Sequence, residues 1–145
     1  MQIEVVSPAH LADIAAIEAL CFHEPWSEQA LALLTGERAF GLAAVGEETG
    51  EVLAYLGVLV ALDEGQITNV ATHPSWRRRG FADALLEALK KTAKERGLAL
   101  LSLEVRESNA AAIALYEKHG FFTAGRRPHF YTHPTEAALV MLCNL

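Results

Sequence analysis

The stretch Ile67–Ala82, ITNVATHPSWRRRGFA, decides how the chain is read. Its first half is a strand-forming run, Ile67-Thr68-Asn69-Val70-Ala71-Thr72, which stops at His73-Pro74. Arg77-Arg78-Arg79 and Gly80 then open a segment in which Phe81, Leu85, Leu89 and Ala93 recur at helical spacing. A strand that delivers the chain to a helix N-terminus brings unpaired N–H donors and a partial positive charge to one point. Guanidinium groups beside it add forked donors. Such a place holds phosphate oxygens, although a solvated basic turn has the same composition.

Composition narrows the remaining choices. At 145 residues the chain is long enough for one domain with its own core, and it needs no metal or disulfide staple. With 52% hydrophobic residues it is not a disordered chain. No apolar run approaches the ~18 residues of a membrane span. The opening MQIEVVSPAHLADI lacks a basic leader, so no signal peptide is expected. Cys21 and Cys143 lie far apart among apolar neighbours and read as reduced core residues, which points to the cytoplasm. A net charge of −6 argues against nucleic-acid binding. The Arg77–Arg79 triplet is a local exception in this acidic chain and favours a focused anion site.

Outward from the opening stretch, the pattern predicts a strand at Ile3–Val6 and then a helix carrying Leu11, Ile14, Ala15, Glu18 and Ala19. Ser27 is placed to cap a helix over Glu28–Leu34. Strands at Phe40–Val45, Val52–Leu62 and Gln66–Thr72, joined by short turns, read as an antiparallel meander. The helix after Gly80 stops at Gly97; Leu98–Arg106 is the next strand. Asn109 or Ser108 caps a short helix that ends at Gly120. Two final strands, Phe122–Arg126 and Ala138–Asn144, flank an aromatic loop at His129-Phe130-Tyr131. No internal repeat divides the chain. The expectation is a single α+β domain over residues 1–145, with a mixed, mostly antiparallel central sheet flanked by helices.

Within that plan a few side chains stand out. Alternation through Leu98–Arg106 sets Leu101, Leu103 and Val105 on one face and Ser102, Glu104 and Arg106 on the other. A carboxylate late in so apolar a strand is costly unless that face opens to water or to a site. Glu104 is therefore either half of an ion pair at a sheet edge, with Arg106 or a neighbour, or a general base in a cleft. Tyr116 shares a helical stripe with Ala112 and Ile113, so it is either core or an acid whose hydroxyl reaches the same cleft. His73 reads as a loop residue and His119 as a helix C-terminal one. Neither has a partner at metal spacing, so no metal is expected. No Ser-His-Asp order supports a hydrolase, and no Gly-x-x-x-x-Gly-Lys-Ser/Thr loop supports ATP binding.

These residues together resemble the GNAT family of N-acetyltransferases. The family's Gln/Arg-x-x-Gly-x-Gly/Ala motif stands here as Arg77-Arg78-Arg79-Gly80-Phe81-Ala82, after the strand NVATHP. A second signature, LEVR-x-SN-x-x-A-x-x-LY-x-x-x-GF, is met from Leu103 to Phe121. With Pro25-Trp26-Ser27 it resembles the branch of bacterial ribosomal-protein alanine N-acetyltransferases. The resemblance covers nearly the whole chain and implies a GNAT-like fold with acetyl-CoA as co-substrate. It implies that Val70, Ala71 and Thr72 pair their backbone with the pantetheine arm and polarise the thioester carbonyl. Arg78, Arg79, Gly80, Phe81, Ala82 and Asp83 would wrap the pyrophosphate, mainly through main-chain N–H groups. Asn109 would bind the cofactor arm, Glu104 would be the base and Tyr116 the acid. The implied acceptor is a protein or peptide N-terminus, that of a ribosomal protein beginning with alanine, with no nucleic-acid or membrane partner. Acetylation of a lysine side chain or a small amine is the alternative. An acyl-CoA-binding sensor is a third reading, and the pairing of Glu104 with Tyr116 counts against it. Two features depart from the pattern: Asp83 stands where the family is often basic, and the His129–Glu136 segment looks short for a wall of the acceptor site.

Overall fold

The computed structural model describes residues Met1–Leu145. One seven-stranded sheet, in the order β1-β2-β3-β4-β5-β7-β6, organises the chain. Strands β1 (Gln2–Val5), β2 (Ala39–Val45), β3 (Val52–Ala61) and β4 (Glu64–Thr72) form the expected antiparallel meander. β5 (Leu100–Arg106) joins β4 in parallel, and β7 (Glu136–Asn144) and β6 (Phe122–Tyr131) extend the sheet antiparallel. Helices α1 (Leu11–Cys21) and α2 (Glu28–Leu31) precede β2; α3 (Phe81–Glu95) links β4 to β5, and α4 (Ala110–Lys118) follows β5.

Alternation of side chains across the sheet builds a core on each face. Phe40, Leu42 and Ala44 of β2 join Leu85, Leu86 and Leu89 of α3 in the larger cluster. Ala39, Ala43 and Val45 of the same strand join Ile14 and Ile17 of α1 and Leu31 of α2 in the smaller one. β2 is therefore buried along its whole length. Removing Leu85 or Leu89, both fully buried, as an alanine change would cost about 2–5 kcal/mol through lost burial and the cavity left behind.

The sheet opens where β4 meets β5. Their parallel ladder runs only from Glu64↔Leu100 to Gln66↔Ser102, and beyond it the strands part. A bulge lies just there. Gly57 of β3 faces Asn69, whereas Val58 faces Ile67, so Thr68 is the extra residue. A bulge bends its strand and sharpens its twist, which turns the rest of β4 away from β5. The divergence leaves a V-shaped cleft with one backbone edge on each side.

Three local readings need correction. The aromatic residues His129-Phe130-Tyr131 are not in a loop: they end β6, whose pairing with β7 is irregular between Arg127 and Tyr131, and the turn lies beyond them. α2 stops at Leu31 and tightens into a 3₁₀ turn over Ala32–Thr35, where the expected helix ran on to Leu34. Cys143 is buried as expected, but Cys21 is only partly buried and borders the cleft.

Candidate active site

The cleft between β4 and β5 widens into a cavity of about 640 Å³. Val70, Glu104, Asn109 and Tyr116, all singled out in the sequence, line it. Ala71, Thr72 and the Arg78–Asp83 turn are not part of its lining. They continue the chain from the β4 side, beyond the cavity.

In the cavity Glu104 sits midway along the face of β5 opposite Leu103 and Val105, with 18% of its side chain exposed. Of the ion pairs expected as the alternative, the one with Arg106 is not formed, and the one with a neighbour is, to Arg127. Arg106 turns instead to Glu136 at 3.2 Å and to the carbonyls of Thr132 and Pro134 at 2.9 Å each, which pins the β6–β7 turn. Gln66 Nε2 donates to Glu104 Oε2 at 3.4 Å, and Arg127 Nε lies 3.9 Å from Oε1. These are long contacts, so the carboxylate keeps lone pairs for a ligand. Tyr116 is 9% exposed and packs against Phe121, yet it also faces the cavity. Burial pushes its phenol up to about 12, with the nearby Tyr131 adding to the shift. It is both core and cavity wall. Asn109 caps α4, its Oδ1 accepting from Ala112 N–H at 3.1 Å.

The backbone of β4 sorts its own donors. In an antiparallel ladder, residues facing their partner as a hydrogen-bonded pair turn both main-chain groups toward it, and the next residue turns both away. His73 N–H donates to the Leu53 carbonyl at 2.8 Å, which makes Tyr55↔Ala71 the next bonded pair. Ala71, expected to offer its backbone to a cofactor arm, is thus committed to β3. Val70 and Thr72 turn their N–H groups toward the open side.

At the other end, Gly80 adopts φ +80° and provides no side-chain cap for α3. The first-turn N–H groups of α3 are left without a side-chain partner, and an added Cβ at Gly80 would meet nothing within 4 Å. This open, donor-lined corner suits a diphosphate. The arginines do less than their number implied. Arg79 lies over the Trp76 ring at 4.7 Å, Arg77 donates to Cys21 Sγ at 3.4 Å, and Arg78 sits at φ +64° with its side chain exposed. Asp83 Oδ1 accepts from Lys118 Nζ at 2.9 Å and lies 2.8 Å from His119 Nε2. The His119 bond, then Lys118, holds the Asp83 carboxyl below the ordinary aspartate range. His119 Nδ1 reaches Glu87 at 2.7 Å, so this histidine joins α4 to α3.

The sequence profile of the acetyltransferase (GNAT) family matches residues 11–121. The chain belongs to that family. It is an N-acetyltransferase, and its sheet and helices are those of a single GNAT-like α+β domain. It is similar to the [ribosomal protein bS18]-alanine N-acetyltransferase of Escherichia coli strain K12, with 43% identity over 119 residues, 81% of this chain and 79% of that protein. The crystal structure of the E. coli ribosomal-protein-S18-alanine N-acetyltransferase superposes with a TM-score of 0.90 at 38% identity, covering 99% of this chain and 92% of that one. An aminoglycoside 6′-N-acetyltransferase crystallised with coenzyme A shares the fold, with a TM-score of 0.84 at 14% identity over 99% and 97% of the two chains.

Residue patterning missed a second polar group in this acetyltransferase. Glu18, Tyr55 and Asn69 form a buried hydrogen-bonded set at the cavity's edge. Burial first, and the Glu18 hydrogen bond second, push the Tyr55 hydroxyl well above the ordinary phenol range. One signal was available: Glu18 is a carboxylate on the apolar stripe of α1.

Proposed function

We propose that this acetyltransferase moves acetyl from acetyl-CoA directly to the α-amino group of a protein that begins with alanine, a ribosomal protein in the cytoplasm being the expected acceptor. The observation that carries the reading is the cleft between the parted strands. It exposes two main-chain donors of β4, sets Glu104 and Tyr116 around one cavity, and leads to the uncapped start of α3. The name of the E. coli relative supports the choice of acceptor.

Acetyl-CoA supplies an activated thioester, and the residues of the cleft do the rest. An α-amine with a pKa of about 8 is roughly ten per cent neutral at pH 7, whereas a lysine near 10.4 is far less so. Glu104, directly or through a water, takes the proton as the amine attacks. The N–H groups of Val70 and Thr72 face the arm of the donor and stabilise charge developing on the carbonyl oxygen. Tyr116 keeps its proton until the sulfur leaves and then delivers it. Asn109 lies where the arm passes. The main-chain N–H groups from Arg78 to Asp83 hold the pyrophosphate.

Two peptides of one sequence test the reading, one with a free N-terminal alanine and a blocked lysine, the other the reverse. Faster acetylation of the free N-terminus is expected. Faster modification of the lysine moves the assignment to side-chain amines, and no turnover of either moves it to a small-amine acceptor.

A further inference from the structure

Glu18 is fully buried, yet the proposed chemistry gives it no role. Its position joins three parts of the cavity. Oε1 accepts from the main-chain N–H of Trp26 at 2.9 Å. Oε2 accepts from the Tyr55 hydroxyl at 2.7 Å and from Asn69 Nδ2 at 3.0 Å, and that same Nδ2 donates to the Tyr55 oxygen at 3.1 Å. The main-chain carbonyl of Glu18 also accepts from Phe22 N–H at 3.0 Å. One residue therefore holds both ends of the five-residue loop Phe22–Trp26, by its backbone at the start and its carboxylate at the finish.

That loop has no helix or strand of its own, and it forms the cavity wall on the α1 side. A wall made of loop is only as fixed as its anchors. At its outer edge it touches the β6–β7 turn through exposed contacts alone. His23 lies 4.4 Å from the His133 ring, and Glu24 Oε1 is 3.7 Å from His133 Nδ1. The inner anchor is the buried carboxylate, and its other oxygen is fastened to β4 at Asn69, next to Val70. The distance between loop wall and strand floor is set through this one side chain.

We infer that Glu18 is a positioning residue that fixes the width of the acceptor pocket and so its selectivity for a small first side chain. This inference rests on the N-terminal reading given above. A pocket held at fixed width rejects a larger first residue sterically, whereas a loosened wall moves aside for it. Glu18→Gln keeps the volume but replaces one acceptor oxygen by a donor amide. Whichever way that amide turns, either Trp26 N–H or the Tyr55–Asn69 pair loses its partner. Tyr55→Phe is the milder variant, because it removes one bond and leaves the carboxylate holding Trp26 and Asn69.

The experiment compares kcat/KM for two peptides that differ only at the first residue, alanine or leucine, with the Kd of acetyl-CoA measured alongside by calorimetry. Parent enzyme should favour alanine by a factor of 10 to 200, roughly the discrimination a hydrophobic pocket achieves by size. Glu18→Gln should cut that preference by about tenfold, as KM falls for the leucine peptide and rises for the alanine peptide, and Tyr55→Phe by about threefold, with kcat and the acetyl-CoA Kd within about twofold of parent. If Glu18→Gln does not fold, Tyr55→Phe carries the test. An unchanged preference in a folded variant overturns the positioning role, and so does a loss of acetyl-CoA binding as large as the loss of acceptor binding. A parent that leaves both peptides unmodified removes the N-terminal reading itself, and this inference with it.

Discussion

Side chains build one end of the cleft and backbone builds the other. Where we place the acceptor, Glu104, Tyr116 and the Glu18 set come from β5, α4, α1, β3 and β4, held by contacts between residues far apart in the chain. Where we place the pyrophosphate, the site is a run of neighbouring residues, and two of its three arginines are spent on Trp76 and Cys21. A backbone site tolerates side-chain change as long as φ is respected, whereas a side-chain site fails at single atoms. Asp83 shows the tolerance: an acid sits in the first turn of the helix where we place the pyrophosphate, held by hydrogen bonds to Lys118 and His119.

The contrast predicts a ranking of effects. Glu104→Gln should lower kcat/KM for the acceptor by about 10³-fold, within the 10²–10⁴ range of general-base removal, while calorimetry shows acetyl-CoA bound as in the parent. Weakened acetyl-CoA binding in that variant would mean that Glu104 serves both ends. Tyr116→Phe should cost about 10²-fold in kcat with the fold intact, and unchanged turnover would return Tyr116 to packing alone.

The shifted phenol adds a test by pH. In the folded protein Tyr116 holds its proton up to about 12, against about 10 in an unfolded chain. The acid should stay available past pH 10, so kcat should show no alkaline limb from this group until near pH 12. Stability has the matching sign. The folded form binds the proton more tightly, so its advantage is complete below pH 10 and is lost as pH rises from 10 to 12. Denaturant midpoints recorded across that interval should fall.

At the backbone end, Gly80→Val should weaken acetyl-CoA binding about tenfold or more. A β-branched residue at φ +80° is strained by roughly 1–2 kcal/mol, and its side chain enters the open corner. Equal affinity in a folded Gly80→Val protein would place the pyrophosphate elsewhere. The smallest effect belongs to Asp83→Asn. Removing a partly exposed charge that already pairs with Lys118 should tighten acetyl-CoA binding only two- to threefold at low salt, and less at 0.5 M, where screening shortens its reach.

Much of this was legible in the chain because its determinants are local. Ser27 and Asn109 accept from N–H groups three residues on, as caps do from the sequence pattern alone. The alternation of β5 put Leu101, Leu103 and Val105 inside without help from any neighbour. The β6 aromatics went astray because Pro128, just past the expected strand end at Arg126, reads as a strand breaker, and only pairing with β7 keeps them in a strand. Glu18 went unread because nothing near it in sequence reveals Tyr55 or Asn69.

By itself the sequence determined the order of elements, the meander, the basic turn that opens α3 and the residue types available for proton transfer. All of these depend on spacing, caps and φ preferences within a few residues. Only the tertiary structure decided that β4 and β5 part after three pairs, that Val70 and Thr72 rather than Ala71 turn their N–H groups to the cleft, and that a buried carboxylate fastens the opposite wall. Those outcomes come from a bulge, a ladder's register and long-range hydrogen bonds. Each relates residues that meet only after the sheet has formed.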